Sequence, residues 1–278
     1  GSGGYGTIAG VAAAVTTAAR AIAPVAAAAY AAAVDYTAVL WTAEEIPIYW
    51  KYAKTFTLHD RMFAPTDSWT LPESESRRVI RHALDAGITF FDTAEVYGGG
   101  RSEELICRAL AGRDDALVFT KVAPRPGGTG FLPDEIKAAA RKSLKRLGRD
   151  VIDVYQLHWR DNHVPIEDTW GAMADLVDEG VVRWIGVSNF DRELIERCES
   201  IRHVDSLQPQ FSLLVQEGRN DLFPFCENNG TGIVCYGPLA FGLLTGAVTA
   251  ETEFSDDDWR GGKQGMDHYY KVLFAPGV

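Results

Sequence analysis

The sequence is poor in the residues from which several classes of protein are built. It holds only four cysteines, Cys107, Cys198, Cys226 and Cys235, with no C-x-x-C pair and no histidine at ligand spacing beside them. That excludes a disulfide-stapled scaffold or a zinc site of ordinary spacing, and reads as free, mostly buried thiols in a reducing compartment. Basic charge is scarce as well: 27 Lys and Arg stand against 38 Asp and Glu, a formal net charge of −11. A surface of that sign repels a phosphate backbone, so nucleic acid is not an expected partner. The two basic clusters, "SRRVIR" at 76–81 and "RKSLKR" at 141–146, sit at helical spacing and read as solvated helix faces. A long apolar run is also missing. Residues 7–34 have the length of a membrane span, but they are alanine-rich, contain several threonines and are interrupted by Arg20 and Pro24. Transfer of such a stretch into a bilayer gains little. No basic stretch leads an apolar core as a signal peptide requires, so the expected setting is cytoplasmic, without a membrane partner.

What is present begins with an apparent motif. "GSGGYGTIAGVAAAVTTAAR" carries glycines at 1, 3 and 6, the spacing of a dinucleotide-binding turn. That turn works only when a hydrophobic strand feeds it and an acid about 20 residues on takes the ribose. No feeding strand is read here, and "PVAAAAY" stands where the acid should be. The stretch reads instead as a flexible Gly/Ser-rich end.

From about residue 74 the chain alternates between helical and strand patterns. "ESRRVIRHALDAG" sets Val79, Ile80, Ala83 and Leu84 on one helix face, and "ITFFDTA" reads as a buried strand. "SEELICRALAG" reads as a short helix capped by Ser102, followed by strand "ALVFTKVA". "LPDEIKAAARKSLKRLG" has Pro133 and acids at its start, bases and Gly148 at its end, and an apolar stripe of Ile136, Ala140, Leu144 and Leu147. Strands "VIDVYQLHW", "VVRWIGVSN", "VDSLQPQFS" and "GIVCYGPLA" then alternate with three further helices. Six strands separated by helices are the product of repeated right-handed βαβ crossovers. An open doubly wound sheet shares this alternation. Polar residues, however, gather at the C-terminal ends of five strands: Asp92, Lys121, His158, Ser188–Asn189 and Tyr236. A barrel brings five such ends over one mouth, and an open sheet does not. The expected fold class is therefore α/β, a (β/α)8 TIM barrel with atypical or incomplete first and last elements.

Two regions are expected: an N-terminal segment, 1–65, Ala-rich and then dense in aromatics, and a barrel over 66–278. "KTFTL" at 54–58 and "KVLFA" at 271–275 are candidates for two further strands.

In "FFDTAEVYGGGRSEE", Asp92 closes an apolar strand and Tyr97 follows beside three glycines. Taken alone, Asp92 reads equally as a turn cap and Tyr97 as a surface aromatic. Lys121 lies within the next hydrophobic strand, where an ammonium is costly unless paired. His158 ends the strand after it; alone, it reads as a satisfied structural histidine. Together, on three successive strands, the four resemble the aldo-keto reductase superfamily. The resemblance is carried by "GITFFDTAEVYGGGRSEE", "FTKV", "SLKRLGRDVIDVYQLHW", "VRWIGVSNF", "LQPQFSLL" and "YGPLAFGLLTG", covering about residues 74–247 in the family's order.

That resemblance implies a barrel binding a nicotinamide cofactor, NADP with NAD as the alternative, extended across its mouth without a Rossmann turn. It implies Tyr97 as general acid. A free phenol with a pKa near 10 donates and accepts poorly at neutral pH. A Lys121 ammonium beside it would favour the phenolate, with Asp92 holding Lys121 charged and aimed. His158, as a neutral donor, would orient the substrate carbonyl. By the same resemblance Ser188, Asn189 and Gln208 would bind the nicotinamide carboxamide and Tyr236 would stack on the ring. Gly237, Pro238, Leu239 and Gly242 would meet the pyrophosphate. Without it, Gln208 reads as a polar strand residue and Tyr236 as core. No metal is implied.

Two departures stand out. Gly237 replaces a serine usual in the family, and the family's Gly-rich first strand is not recognisable in 1–70. The last strand and helix, with the basic residue for the adenosine 2′-phosphate, are not recognisable either. The Ala-rich start loosely resembles that terminal strand–helix tail, as if moved to the front. The expected substrate is a small carbonyl compound, alcohol or sugar, with Trp159 and the loop 123–131 lining its pocket. The alternative is a non-catalytic barrel of the same family that binds nucleotide or a protein partner.

Overall fold

The apolar stripes read from the sequence become the buried faces of a helix-covered parallel sheet. The computed structural model describes residues 73–125, 130–245, 248–249, 252–254 and 260. The segment 1–65 and both candidate extra strands, 54–58 and 271–275, lie outside the described residues. Within them the order is α1 (Glu73–Asp85), β1 (Phe90–Asp92), a 3-10 turn (Tyr97–Gly100), α2 (Arg101–Ala109), β2 (Leu117–Val122) and α3 (Pro133–Leu147). Then follow β3 (Ile152–Leu157), α4 (Ile166–Asp178), β4 (Val182–Ser188), α5 (Arg192–Glu199), β5 (Ser206–Gln208), α6 (Leu222–Asn229), β6 (Gly232–Ile233) and a 3-10 segment (Ala240–Thr245).

All six strands pair in parallel and in sequence order, β1-β2-β3-β4-β5-β6. A doubly wound sheet reverses its strand order at a switch point, and this one never does. The sheet is also curled. Laid flat at about 4.8 Å per strand, β1 and β5 would stand roughly 19 Å apart. Instead the Gln208 amide at the end of β5 donates to Asp92 Oδ1 at the end of β1, 2.9 Å away. Only a sheet bent around its own axis closes that gap. Inside the curve Gln156 Nε2 donates to Ser206 Oγ at 3.0 Å, across β4. The intervening residue is Gly186, where a Cβ would lie 2.1 Å from that hydroxyl. The glycine is what lets the polar pair cross the interior.

The helices follow their sequence grammar. In α3 Pro133 stands at the first turn, and the Glu135 carboxylate accepts from Gly130 N–H at 2.6 Å and Leu132 N–H at 3.3 Å. Its buried face is Ile136, Ala139, Ala140, Ser143 and Leu147, packed into one core with Ile80, Ile106, Ile152, Trp170, Met173 and Ile185. Two local expectations are corrected. Ser102 does not cap α2: the helix starts after left-handed Gly100, and Ser102 lies in its first turn, its hydroxyl accepting from Thr93 Oγ1 at 2.7 Å. The basic run 141–146 is not wholly solvated either. Arg141 pairs with Glu179 just past the end of α4, but Arg146 turns inward to a buried carboxylate, Glu103.

Candidate active site

Curling gathers the C-terminal ends of the strands around one mouth, and four of the expected residues meet there. Lys121, next to last in β2, is fully buried. A buried ammonium needs acceptors; its Nζ donates to Asp92 Oδ2 at 2.6 Å and to the Thr93 carbonyl at 2.8 Å. Burial lowers the Lys121 pKa from its ordinary value, and the Asp92 charge and hydrogen bond oppose that shift. The same Nζ lies 5.5 Å from the Tyr97 ring centre. Tyr97 opens the 3-10 turn after β1, and its hydroxyl is 3.4 Å from His158 Nε2. His158 stands one residue beyond β3, its backbone N–H bonded to the Val122 carbonyl at 2.9 Å. Its pKa is pushed down to about 2, mostly by burial and in smaller part by the Lys121 charge. The imidazole is therefore neutral across the physiological range. Trp159 stacks flat on that ring, 3.6 Å centre to centre, and exposes its other face.

A second set adjoins the first. Ser188 ends β4, and its hydroxyl donates to the Gln208 carbonyl at 2.9 Å. Asn189 adopts the left-handed backbone, φ +61°, a conformation asparagine tolerates better than most residues. Its Nδ2 donates to the His158 carbonyl and to Ser188 Oγ, each at 3.1 Å, and its Oδ1 accepts from the Tyr236 hydroxyl at 2.7 Å. Ser188, Asn189, Gln208 and Tyr236 are thus one connected group, joined through Gln208 to Asp92 and through Asn189 to His158. Tyr236 lies past the end of β6, in a bridge opposite Gln210. Gly237, Pro238, Leu239 and Gly242 form the turn that follows; Ala240 N–H bonds to Gly237 O and Gly242 N–H to Leu239 O. Ala240 and Phe241 within it hold positive φ, +48° and +53°, a strained backbone for residues with a Cβ.

The residues present fit a nicotinamide. Two carboxamide side chains, a serine hydroxyl and a tyrosine converge at the strand ends beside the tyrosine–lysine pair. They are donors and acceptors of the kind that a planar carboxamide ring requires. A cavity of about 400 Å³ opens next to them, lined in part by Asn189, Phe190, Arg160, Arg192, Asp221 and Leu222. Of the expected pocket loop, Arg125 pairs with Glu95, whose carboxylate also accepts from Ala123 N–H at 3.2 Å. Residues 126–129 of that loop lie outside the described residues. Sequence reasoning overlooked Glu95, Glu103 and Thr93. Glu103 looked like an ordinary acid in a helix's first turn, and nothing in its spacing marks it as buried. Among the described residues no group of three or more His, Cys, Asp or Glu is placed to hold a metal ion, and no helix is long and apolar enough to cross a membrane.

Comparison with known proteins bears on this arrangement. Residues 61–273 match the model of the aldo/keto reductase family. The aldo-keto reductase YhdN of Bacillus subtilis (strain 168) is 37% identical over 217 residues, which are 74% of this chain and 63% of that protein. A glycerol dehydrogenase of Gluconobacter oxydans aligns with a TM-score of 0.64 at 32% identity, over 78% of this chain and 69% of its own. An aldo/keto reductase of Klebsiella pneumoniae, solved in complex with NADP and acetate, aligns with a TM-score of 0.57 at 32% identity, over 65% and 64% of the two chains. The chain thus spans somewhat less than two thirds of the length of YhdN.

Proposed function

The chain belongs to the aldo/keto reductase family, and on that premise we propose that it is an NADP-dependent oxidoreductase acting on carbonyl compounds or the matching alcohols and sugars. In this reading the six curled strands are the greater part of an eight-stranded (β/α)8 barrel, and Tyr97 is the general acid and base. The observation that carries it is the buried Lys121, held at 2.6 Å by Asp92 and facing the Tyr97 ring, with His158 Nε2 at 3.4 Å from the Tyr97 hydroxyl. Nothing about packing calls for an ammonium there. Proton transfer through a phenol does, because a neighbouring cation stabilises the phenolate that forms when the proton leaves.

Each residue then has a definite task. Tyr97 gives its proton to the carbonyl oxygen in reduction and takes one from the alcohol in oxidation. Lys121 supplies positive charge beside the phenolate, and Asp92 offsets the burial that would otherwise strip Lys121 of its proton. His158, neutral because burial and Lys121 suppress its protonation, orients the carbonyl oxygen toward Tyr97 without competing for the proton. A bound nicotinamide supplies the hydride. Ser188, Asn189 and Gln208 would hold its carboxamide, Tyr236 would cover its ring, and the turn 237–242 would receive the pyrophosphate. The exposed face of Trp159 and the adjoining cavity would line the way for substrate. The Klebsiella relative is solved with NADP, which supports that cofactor over NAD. The Gluconobacter relative is a glycerol dehydrogenase, so small polyols belong among the substrates tested.

The test is oxidation of NADPH, then NADH, in the presence of aromatic and sugar aldehydes, with glycerol and NADP+ for the reverse direction. Tyr97→Phe runs as the control. Turnover that disappears in the variant supports the reading. A folded wild-type chain that binds NADPH without turnover would point to the non-catalytic barrel instead.

A further inference from the structure

On the outer face of the sheet, between β2 and the helices that cover it, lies a buried ionic cluster that the proposed chemistry does not use. Glu103 is fully buried in the first turn of α2. Its Oε1 accepts from the Thr120 hydroxyl at 2.6 Å, and its Oε2 accepts from Arg146 Nε on α3. Arg146 also donates to Ser143 Oγ at 3.1 Å. The preceding residue of α2 is tied too, since Ser102 Oγ accepts from Thr93 Oγ1.

The anchors of this cluster are the neighbours of the catalytic groups. Thr120 precedes Lys121 in β2, and Thr93 supplies the carbonyl that holds Lys121 Nζ. Tyr97 sits on the turn that runs directly into α2. That turn ends at Gly100, φ +98°, where a Cβ would stand 2.6 Å from Arg146 Cδ. The Arg146 side chain is thus packed flat against the backbone that carries Tyr97. Stability alone gives no reason for the arrangement: a buried ion pair gains little over a well-packed apolar pair. What it supplies is direction, because a carboxylate with two fixed donors has one orientation whereas apolar side chains slide.

We propose that Glu103 is a positioning residue. With Thr120 and Arg146 it latches the first turn of α2 to β2 and α3, and so sets the distance from Tyr97 to Lys121 from outside the barrel. The inference rests on the reading of Tyr97 and Lys121 given above, and extends it to residues that never touch substrate or cofactor.

The test compares Glu103→Ala and Glu103→Gln with Asp153→Asn, a control at the other end of β3. Asp153 is also a buried carboxylate, paired with Arg149 and Arg183. The full chain is used throughout, with three measurements: kcat and KM for carbonyl reduction, NADPH affinity by fluorescence, and amide hydrogen exchange over residues 94–104. The latch predicts that Glu103→Ala lowers kcat roughly 10- to 100-fold, the loss expected of a displacement near 1 Å at the reacting groups. KM and NADPH affinity should stay within about 2-fold, with loss of exchange protection concentrated in 94–104. Glu103→Gln, which still accepts from Thr120 but sets an NH2 against Arg146, should lie between Glu103→Ala and wild type. A kcat for Glu103→Ala within about 2-fold of wild type, or a fall matched by Asp153→Asn, overturns the proposal. If the wild-type chain itself does not turn over, the functional reading fails, and the exchange measurement still decides the latch. Protection lost over 94–104 in Glu103→Ala but not in Asp153→Asn supports it, and unchanged or uniformly lost protection overturns it.

Discussion

Replacing Asp92 by asparagine isolates the electrostatic problem at the heart of the site. The Asp92 carboxylate accepts from Lys121 Nζ through one oxygen and from the Gln208 amide through the other. Asparagine keeps the shape but turns an NH2 toward one of those donors and removes the charge opposite a fully buried ammonium. Breaking a buried pair in this way costs about 3–5 kcal/mol when the orphaned charge stays. The Asp92 side chain is 30% exposed, and solvent screening brings the expectation down to about 2–4 kcal/mol. There is also a ceiling. Lys121 can escape by losing its proton, and from an ordinary pKa near 10.4 that takes at most about 4.6 kcal/mol at pH 7. Escape gives the penalty a signature. Burial already lowers the Lys121 pKa with Asp92 in place, and without Asp92 it falls further. The unfolded chain then binds a proton that the folded variant does not, so the variant's stability rises with pH. The deficit relative to wild type should shrink by up to about 1.4 kcal/mol per pH unit as the unfolded lysine value near 10.4 is approached. Urea unfolding of both proteins at pH 7, 8 and 9 measures it. A deficit below about 1 kcal/mol at pH 7 that does not change with pH would refute the argument.

Tyr97→Phe should lower turnover by about 10²- to 10⁴-fold, the usual worth of a positioned proton donor, with NADPH affinity by fluorescence unchanged; an equal loss of affinity would move Tyr97 out of the chemical step. Because His158 is pushed down to about 2 from an ordinary 6.5, the unfolded chain takes up its proton first. Stability should therefore fall as pH drops below 6.5, by about 2 kcal/mol at pH 5 from this residue alone. Unfolding titrations of His158→Gln should lack that component. Gly100→Ala should cost at least about 1 kcal/mol more than Gly99→Ala. Both glycines hold positive φ, but only at Gly100 does a Cβ meet the Arg146 side chain, and thermal unfolding of the two variants gives the comparison.

Much of the fold was legible because it follows from local rules. The helix at 133–147 announces itself through Pro133, its leading acids and the Ile136–Ala140–Leu147 stripe. Six strands at βαβ spacing imply a parallel sheet in sequence order. Asp92 and His158, taken alone, read as readily as structural residues, and it was their occurrence with Tyr97 and Lys121 on three successive strands, in the pattern of the aldo-keto reductases, that marked them out. The failures were local as well. Ser102 has the chemistry of a cap, but the left-handed Gly100 had already begun the helix, and a carboxylate drew Arg146 inward from a run of bases that looked solvated. The termini, where the family's first and last strands were sought, lie outside the described residues.

Periodicity and residue type determined the elements and their order, because each depends only on neighbours along the chain, and the family's motifs, also local in sequence, pointed to the candidate tetrad. The curvature that lets Gln208 reach Asp92, the neutrality of His158 and the Glu103–Arg146 contact were decided by the tertiary structure. All three depend on strand register and burial summed over many residues. Curvature accumulates from the twist of every strand pair, and a pKa records what has been packed around a group from all sides.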